Sequence, residues 1–459
     1  LGHFFYDKGE NMDIEHNSRE KFYRFPFGAV TCGGEVRLRL AVSGAGIPSA
    51  VRLVYMEDGK GEVRKDMPYI FDVGDHCIYS VNVKMPEKAG LVWYYFELET
   101  ERGMVYYGNN SKQLGGIGEM CFNSPSNSYQ ITVYNEDYKT PDWFKTGIAY
   151  QIFVDRFCNG NENGEFLGNR TDIIKRNWGE QPFYKAEQFG GEYKANDFFG
   201  GNLKGVIKKL PYLKDLGISV IYLNPIFKAY SNHKYDTGDY ETIDPMFGDE
   251  ETFKELCSKA KEMGIRIILD GVFNHTGSNS RYFNKYGEYD SVGAYQSKES
   301  PYYTWFRFMD WPDVYESWWG MTTLPQIEEH SEECRKYLLS DKDAIVKRWI
   351  KNGASGWRLD VVDELPGFFV KELRENVKKA DKDAVIIGEV WEDASNKISY
   401  GKRRKYLSGG ELDSVMNYPL RNAVIEYFLH GNCSALRYAT EGTYRHYPCL
   451  LYTSPSPRD

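Results

Sequence analysis

Two short segments place carboxylates where the cleavage of a glycosidic bond could be catalysed. Residues 356–360 read Gly-Trp-Arg-Leu-Asp and end in Asp360, and the apolar run 384–388 leads into Glu389. Cleavage needs two carboxyl groups facing one sugar, about 5 Å apart if the anomeric configuration is to be retained. Neighbouring parallel strands lie about 4.8 Å apart, so carboxylates at their C-terminal ends can meet that distance.

A third carboxylate occurs upstream in the same setting. The apolar run 265–269 ends in Asp270, and Asn274 and His275 follow closely. One acid after an apolar run is as often a solvated strand-end residue as a functional one. Three such acids, accompanied by Arg358, Asn274 and His275, indicate a shared site at the ends of three strands.

This combination resembles the α-amylase family of glycoside hydrolases, family 13. Residues 270–275 are similar to the family's first signature (D-x-x-x-N-H), residues 356–360 to the second (G-x-R-x-D), and Glu389 to the third. The resemblance runs from about Trp143 to about Phe428. Within the family it is to the group of neopullulanases, cyclomaltodextrinases and maltogenic amylases.

The resemblance implies a role for each residue of the carboxylate set. Asp360 is the expected nucleophile, and Arg358, two residues earlier on the same strand face, is expected to keep it ionised. Glu389 is the expected general acid and then base. Its pKa would have to exceed that of Asp360, which predicts a less polar setting with Trp391 nearby.

Further residues are implied to bind the substrate. Tyr235 is expected to stack on the sugar at the scission site, and His275 to hydrogen-bond one of its hydroxyl groups. His233 is expected to act like His275. Asp270 is expected to orient Arg358, and Asn274 belongs to the same signature.

A calcium site is a weaker expectation. Asn159 and Asn161 lie in a polar loop after the first predicted barrel strand, and such loops can supply oxygen ligands to Ca²⁺. The family's corresponding loop pairs with a G-G-D-L segment, which here reads Gly200-Gly201-Asn202-Leu203, so a neutral amide replaces a carboxylate. A turn-forming polar loop without a metal explains these residues equally well.

Composition limits the class of protein. The 459 residues are too many for one ordinary core, and 41% hydrophobic and 27% charged residues are typical of globular domains. A net charge of −9 argues against a nucleic acid partner, and there is no apolar run of transmembrane length. Eight cysteines without a C-x-x-C motif, and no visible signal peptide, favour a reducing cytoplasmic location.

The order of predicted elements indicates several domains. Residues 1–20 form an N-terminal segment, and 21–136 carry closely spaced β-strand patterns that predict a β-sandwich. This part resembles the starch-binding-like N-terminal domain of neopullulanases. Trp93 and Tyr95 within it could bind sugar, although core packing is favoured. From 143 to 450 strands alternate with amphipathic helices, which predicts a TIM-type (β/α)₈ barrel with an inserted domain at 276–341.

The barrel pattern is expected to be incomplete, with about six of eight units. The family's fourth signature, a His-Asp pair, is missing after Glu389. The seventh strand is expected near residue 448, but Pro455 and Pro457 cannot continue a buried strand. Residues 451–459 are therefore expected to be a non-native or disordered tail of a truncated chain. Weak or absent catalysis is the expectation for these 459 residues alone.

The resemblance implies a retaining hydrolase of α-1,4-glucosidic bonds in malto-oligosaccharides, cyclodextrins or pullulan. The expected ligands are α-glucan oligosaccharides, and a homodimer through the N-terminal domain is the expected assembly. Two alternatives stay open: an α-glucosyltransferase that uses the same acids, and a catalytically silent carbohydrate-binding relative. The intact Asp360 and Glu389 argue against the silent relative, whereas the missing His-Asp pair argues for it.

Overall fold

The computed structural model describes residues 12–44, 46–123, 127–191, 194–448 and 451. In that part of the chain an N-terminal β-sandwich precedes a parallel sheet flanked by helices, which confirms the expected fold class. None of the described helices is long and apolar enough to cross a membrane.

The sandwich consists of two sheets that face each other across an apolar core. Its strands are β1 (Asp13–Glu15), β2 (Arg24–Phe25), β3 (Val30–Thr31), β4 (Glu35–Ser43), β5 (Ala50–Glu57), β6 (Val63–Asp66), β7 (Tyr69–Val73), β8 (His76–Lys84), β9 (Gly90–Thr100), β10 (Gly103–Gly108), β11 (Glu119–Cys121) and β12 (Tyr129–Tyr134). One sheet has the order β1-β4-β8-β7 with β2 on β4, and the other has the order β11-β10-β9-β12-β3 with β5 and β6 attached through β9. Leu40, Leu53 and Phe96 are fully buried between the sheets because alternate residues of each strand face inward.

The sandwich begins earlier than the sequence predicted. Strand β1 pairs with β4 in the register Ile14 to Val42, and Ile14 is buried in the sandwich core. Residues 13–15 therefore belong to the sandwich, not to the separate segment 1–20. This strand was not predicted because three residues are too few to show a strand pattern.

The second part is built on a parallel sheet. Its main strands are β13 (Ala149–Ile152), β16 (Val220–Leu223), β19 (Arg266–Gly271), β22 (Gly356–Leu359), β23 (Val385–Gly388) and β26 (Ser414–Val415), paired in that order. Four short two-stranded pairs interrupt it: β14 (Ile174–Lys175) with β15 (Asp197–Phe198), β17 (Phe227–Ala229) with β18 (Thr237–Ile243), β20 (Phe308–Asp310) with β21 (Val314–Tyr315), and β24 (Ile398–Ser399) with β25 (Lys402–Arg403).

Helices pack against this sheet. They are α1 (Asp142–Lys145), α2 (Leu203–Asp215), α3 (Glu250–Glu262), α4 (Glu332–Arg335), α5 (Ile345–Lys351), α6 (Gly367–Ala380), α7 (Tyr418–His430) and α8 (Cys433–His446). Helix α2 begins at Asn202, whose side chain accepts a hydrogen bond from the N–H of Gly205. Trp349 and Trp357 are fully buried between α5 and the sheet.

The main sheet has six parallel strands among the described residues, in agreement with the expected six units. Strand β26 and helix α7 form the sixth unit. Helix α8 was not predicted; it returns to the sandwich, where Glu441 pairs with Arg19. The expected seventh strand at 449–452 lies outside the described residues, apart from Leu451, as does the tail from 452 to 459.

The predicted inserted segment at 276–341 has little regular structure besides β20, β21 and α4. It nevertheless has its own aromatic cluster, in which Phe283 packs against Phe306, Phe308 and Tyr315. An isolated bridge between His275 and Gln326 joins its far end to the end of β19. The segment thus forms one wall above the strand ends.

Strands β22 and β23 approach closely at Gly356, so there is no room for a side chain at this position. A Cβ there would lie 2.2 Å from the carbonyl oxygen of Val385. We expect Gly356→Ala to lower the free energy of unfolding by about 2 kcal/mol or more, as overpacked interior substitutions do. Denaturant unfolding would measure the loss. Gly410→Ala is the control, since a Cβ there meets nothing within 4 Å; equal midpoints for both variants would contradict the steric argument.

Candidate active site

Strand pairing brings the three predicted acids to one edge of the parallel sheet. Gly271 pairs with Leu359 and Leu359 with Gly388, so the residues that follow these strands are neighbours. The N–H of Asp360 donates to the carbonyl of Gly271 at 3.1 Å, and the N–H of Glu389 donates to the carbonyl of Leu359 at 3.0 Å. The two acids of the predicted catalytic pair therefore leave adjacent strands at the same level.

One guanidinium group holds all three carboxylates. Arg358 Nη1 lies 2.9 Å from Asp270 Oδ1 and 2.7 Å from Asp360 Oδ1, and its Nη2 lies 2.9 Å from Glu389 Oε1. The arginine side chain is only 6% exposed. The prediction that Asp270 orients Arg358 agrees with these contacts, since charge-assisted hydrogen bonds of this kind fix a guanidinium plane.

Two tyrosines complete the surroundings of Asp270. Tyr222 and Tyr235 both donate to its Oδ2, the latter at 3.0 Å. Tyr222 was not among the predicted site residues. Its only signal in the sequence is a hydroxyl-bearing side chain in an otherwise apolar strand, which a core tyrosine would also give. Asp270 itself is buried behind the cavity, so it acts on Arg358 and not on a ligand.

Burial and mutual repulsion set the pKa values of the two predicted catalytic acids. Burial, with the nearby charge of Asp270, raises the pKa of Asp360 to about 8 although Arg358 opposes the shift. Burial acts in the same direction on Glu389, but Arg358, the N–H of Val361 and the hydroxyl of Tyr418 outweigh it and lower its pKa.

This order is opposite to the one predicted from sequence. The prediction considered Trp391 and an apolar setting, but Val361 N–H donates to Glu389 Oε2 and the Tyr418 hydroxyl to Oε1, each at 2.9 Å. Both donors favour the ionised form. Burial also raises the pKa of Asp270, so the three carboxylates that share the cation of Arg358 are protonated as a group. Their titration belongs to the group of acids as a whole.

The two predicted histidines border the cavity as neutral rings. Burial lowers the pKa of His275 to about 4 and lowers that of His233 as well. His275 stacks on Trp318 with ring centroids 5.3 Å apart, and its Nδ1 lies 3.2 Å from Asn274 Oδ1. Its Nε2 has no hydrogen-bond partner among the described residues, although it is buried. The His275 ring borders the cavity, whereas Asn274 contacts that ring from behind the cavity wall.

A cavity of about 930 Å³ opens over these groups. Five of the seven predicted substrate-binding residues line it, and the two exceptions, Asp270 and Asn274, lie behind its wall. The lining includes both predicted catalytic acids together with His233, Tyr235, His275, Trp318, Leu324, Arg358, Val361 and Trp391.

A buried lysine that the sequence analysis overlooked holds the loop carrying His233 and Tyr235. Lys234 has a left-handed backbone (φ 64°) and a fully buried side chain. Its ammonium group lies 2.7 Å from Asp244 Oδ2 and donates to the carbonyl of Ala229 at 3.1 Å. Because this ion pair points away from the cavity, the neighbouring His233 and Tyr235 point into it.

The four predicted calcium ligands do lie together. Asn202 Oδ1 accepts hydrogen bonds from the N–H groups of Gly160 and Gly205, and Asn159 Oδ1 accepts one from Asn161. Asn159 and Asn161 both donate to the carbonyl of Glu165. The donor set consists of neutral oxygens, which suits a hard cation but offers no carboxylate. Among the described residues no group of three or more His, Cys, Asp or Glu side chains could hold a metal.

The sequence of this chain is similar to the sequences of known proteins. Residues 151–447 match the model of the α-amylase catalytic domain. The chain is 38% identical over 447 residues to an amylopullulanase of Thermoanaerobacterium saccharolyticum, covering 91% of this chain and 34% of that protein. It is 41% identical over 311 residues to a cyclomaltodextrinase of Thermoanaerobacter pseudethanolicus, covering 65% and 47%.

A solved structure, the type III pullulan hydrolase from Thermococcus kodakarensis, is similar over most of the chain. It is 29% identical with a TM-score of 0.57, covering 95% of this chain and 70% of that one. The chain spans about a third or less of the length of the amylopullulanases that it matches.

The protons held by the carboxylate group predict the alkaline side of the pH profile. In a glycosidase built on this site, kcat/KM is expected to fall by about tenfold or more per pH unit above pH 8, because the group then loses a proton that a leaving group needs. Initial rates at low substrate concentration from pH 5 to 10 measure this limb. A limb that begins below pH 7 would contradict the raised pKa of Asp360.

Proposed function

The chain belongs to the α-amylase family, and on that basis we propose that it is a retaining hydrolase of α-1,4-glucosidic bonds. The observation that carries the proposal is the binding of Asp270, Asp360 and Glu389 by the single guanidinium of Arg358 at the floor of the cavity. Two carboxyl groups at adjacent strand ends, one able to attack and the other able to donate a proton, are what a double displacement requires.

In the proposed mechanism Asp360 attacks the anomeric carbon while Glu389 protonates the departing glycosidic oxygen. In the productive state Glu389 carries a proton and Asp360 is ionised. A sugar that enters the cavity separates Glu389 from Arg358, which leaves Arg358 to stabilise ionised Asp360. Water, deprotonated by Glu389, then hydrolyses the glycosyl-enzyme, so the product keeps the α configuration.

The proposed substrates are malto-oligosaccharides, cyclodextrins or pullulan. Support comes from the names of the relatives, which include amylopullulanase, cyclomaltodextrinase and pullulan hydrolase. It also comes from the aromatic rings of Trp318, Trp319 and Trp391 beside the acids, since flat rings suit the apolar faces of glucose units.

Two substitutions separate the roles of the acids. Asp360→Asn is expected to lower kcat about a thousandfold or more on any α-glucoside, because no nucleophile remains. Glu389→Gln is expected to lower kcat about 100- to 10,000-fold on maltotriose, the range for general acid catalysis, but far less for the first step with α-maltosyl fluoride. Fluoride leaves without protonation, so the burst of fluoride released in the first turnover measures the rate of formation of the glycosyl-enzyme.

The exposed acid Asp215 on α2 supplies the control, and Asp215→Asn should match the unsubstituted enzyme. Proton NMR of early products should show the α anomer first, and the product sizes separate transfer to sugar from transfer to water. Binding of maltotriose without turnover by the unsubstituted protein would refute the hydrolase and favour a carbohydrate-binding relative.

Calcium is proposed only as a structural ion of the loop at Asn159, Asn161, Gly200 and Asn202. We expect 5 mM CaCl₂ to raise the melting temperature by about 1–3 °C relative to EGTA, because a weak site stabilises by mass action. Asn202→Asp should enlarge the rise by adding a carboxylate while keeping a helix-capping oxygen, and Asn159→Ala should abolish it. A melting temperature independent of calcium in the unsubstituted protein and Asn202→Asp alike would leave a polar turn as the explanation.

The cellular location and the oligomeric state of the enzyme are also proposals. Similarity to an intracellular maltogenic amylase of Bacillus subtilis and the free thiols of the described cysteines support a cytoplasmic location. A homodimer through the β-sandwich is proposed as well, and sedimentation equilibrium would measure it.

A further inference from the structure

The segment that follows Glu389 links the active site to the β-sandwich. Residues 391–404 form a loop whose centre is the hairpin of β24 and β25, with Ile398 paired to Arg403. We refer to residues 391–404 as the bridging loop. One side of it contacts the sandwich, and the other contacts the segment that follows Asp360.

On the sandwich side, Arg403 contacts Asp58, in the turn after β5, and Trp93 on β9. Its Nε and Nη2 donate to the two carboxylate oxygens of Asp58 at 2.9 and 3.1 Å. Trp93 donates to the same Asp58 at 3.1 Å, and its ring lies 5.9 Å from the guanidinium. Trp93 therefore contacts the bridging loop, whereas the sequence had suggested either core packing or sugar binding for this residue.

A second anchor lies deeper in the interface between the domains. Gln130, on the central strand β12, accepts a hydrogen bond from Asn396 at 2.8 Å and donates to the Ser395 hydroxyl at 3.1 Å. Gln130 and Ser395 are both buried. The bridging loop is thus fixed to the sandwich at two places, through side chains whose polar groups would otherwise be buried without partners.

On the active-site side, the bridging loop holds residues 361–365. Arg404 donates to the carbonyls of Asp363 and Leu365, Ser399 donates to the carbonyl of Asp363, and Lys397 pairs with the Asp363 carboxylate. The segment 361–365 directly follows Asp360. Its first residue, Val361, supplies the N–H that binds Glu389.

The same contacts organise the cavity wall. Trp391 packs edge-on against Trp319 with centroids 5.7 Å apart. Trp319 and Tyr400 both donate to Glu364, which lies in the held segment. Aromatic rings from the inserted segment and the bridging loop therefore meet at one carboxylate that follows Asp360.

Val361 shows why such support is needed. Its φ of 38° is unfavourable for a β-branched residue, and conformations of this kind cost about 1–3 kcal/mol. They persist only where the surroundings hold them in place. The contacts from the bridging loop to residues 363–365 supply that restraint, and the sandwich restrains the bridging loop.

We propose that the β-sandwich positions the active site of its own chain through the bridging loop, with Arg403 as the positioning residue. The sandwich thereby contributes to catalysis without touching the substrate. The kinetic side of the proposal rests on the hydrolase function proposed above, whereas its structural side does not.

The test compares two arginines that each cross the domain boundary. Arg403 and Asp58 are 25% and 28% exposed, and the control pair, Arg19 with Glu441 on α8, is 26% and 24% exposed. Arg403→Gln is expected to lower kcat on maltotriose about tenfold, since small misplacements of catalytic groups are costly. Arg19→Gln should leave kcat unchanged while lowering the melting temperature by a similar amount.

Hydrogen exchange supplies a readout that needs no activity. In Arg403→Gln the amides of residues 361–365 and 391–404 should exchange faster than in the unsubstituted protein, and in Arg19→Gln they should not. Unchanged exchange there, with kcat equal to that of the control, would overturn the proposal. If the unsubstituted protein cleaves no α-glucan, the proposed function fails and exchange alone decides the positioning role.

A double variant that exchanges the charges of Asp58 and Arg403 tests whether the losses come from the broken ion pair and not from failed folding. Asp58→Arg combined with Arg403→Asp should recover part of the kcat and of the exchange protection lost in either single variant. If Arg403→Gln does not fold, Asp58→Asn carries the same comparison, because it weakens the ion pair while keeping Arg403. A loss confined to stability in all of these variants would assign the pair a structural role only.

Discussion

The guanidinium of Arg358 is the group on which the active site depends. Three carboxylates lie around it in a buried setting, where their mutual repulsion would be large without a cation. The alternation of side chains along β22 puts Arg358 and Asp360 on one face, and strand pairing adds Asp270 and Glu389 from the two neighbouring strands. A one-residue shift of either strand would turn an acid away from the cavity. Packing that fixes the strand register is thus also a condition for the chemistry.

Much of the fold follows from local sequence patterns. Helices α2 and α3 repeat apolar residues at helical spacing, and each is followed within two residues by a glycine with a left-handed backbone, Gly217 and Gly264. Strand β19 has an acid as its penultimate residue, and β22 and β23 each end one residue before an acid. Helix α8 and strand β1 were not predicted because their positions depend on contacts with the sandwich. One of these contacts joins Arg19 and Glu441, which are more than 400 residues apart in the sequence. A local pattern does not contain that information.

The residues of the site were predictable where chemistry restricts the residue type. A single acid at a strand end is ordinary, but acids, an arginine and a histidine at neighbouring strand ends together have few purely structural uses, so Asp360, Glu389 and His275 stood out. Tyr222 and Lys234 did not, because a tyrosine in a strand and a lysine in a loop are ordinary. The order of the two pKa values was wrong for a related reason. It depends on single hydrogen bonds from Val361 and Tyr418, which only the folded backbone reveals.

Backbone strain around the cavity explains why the catalytic part needs a rigid frame. Five non-glycine residues with positive φ line or flank the cleft: Ala195, Lys234, Trp319, Val361 and Tyr400. Each favours relaxation to another conformation, and together with the repulsion among the acids they destabilise the site. The Lys234–Asp244 ion pair restrains one of these positions, and the contacts through the bridging loop restrain Val361 and Tyr400. The strain at these positions is thus offset by contacts that reach, through the bridging loop, into a second folded unit.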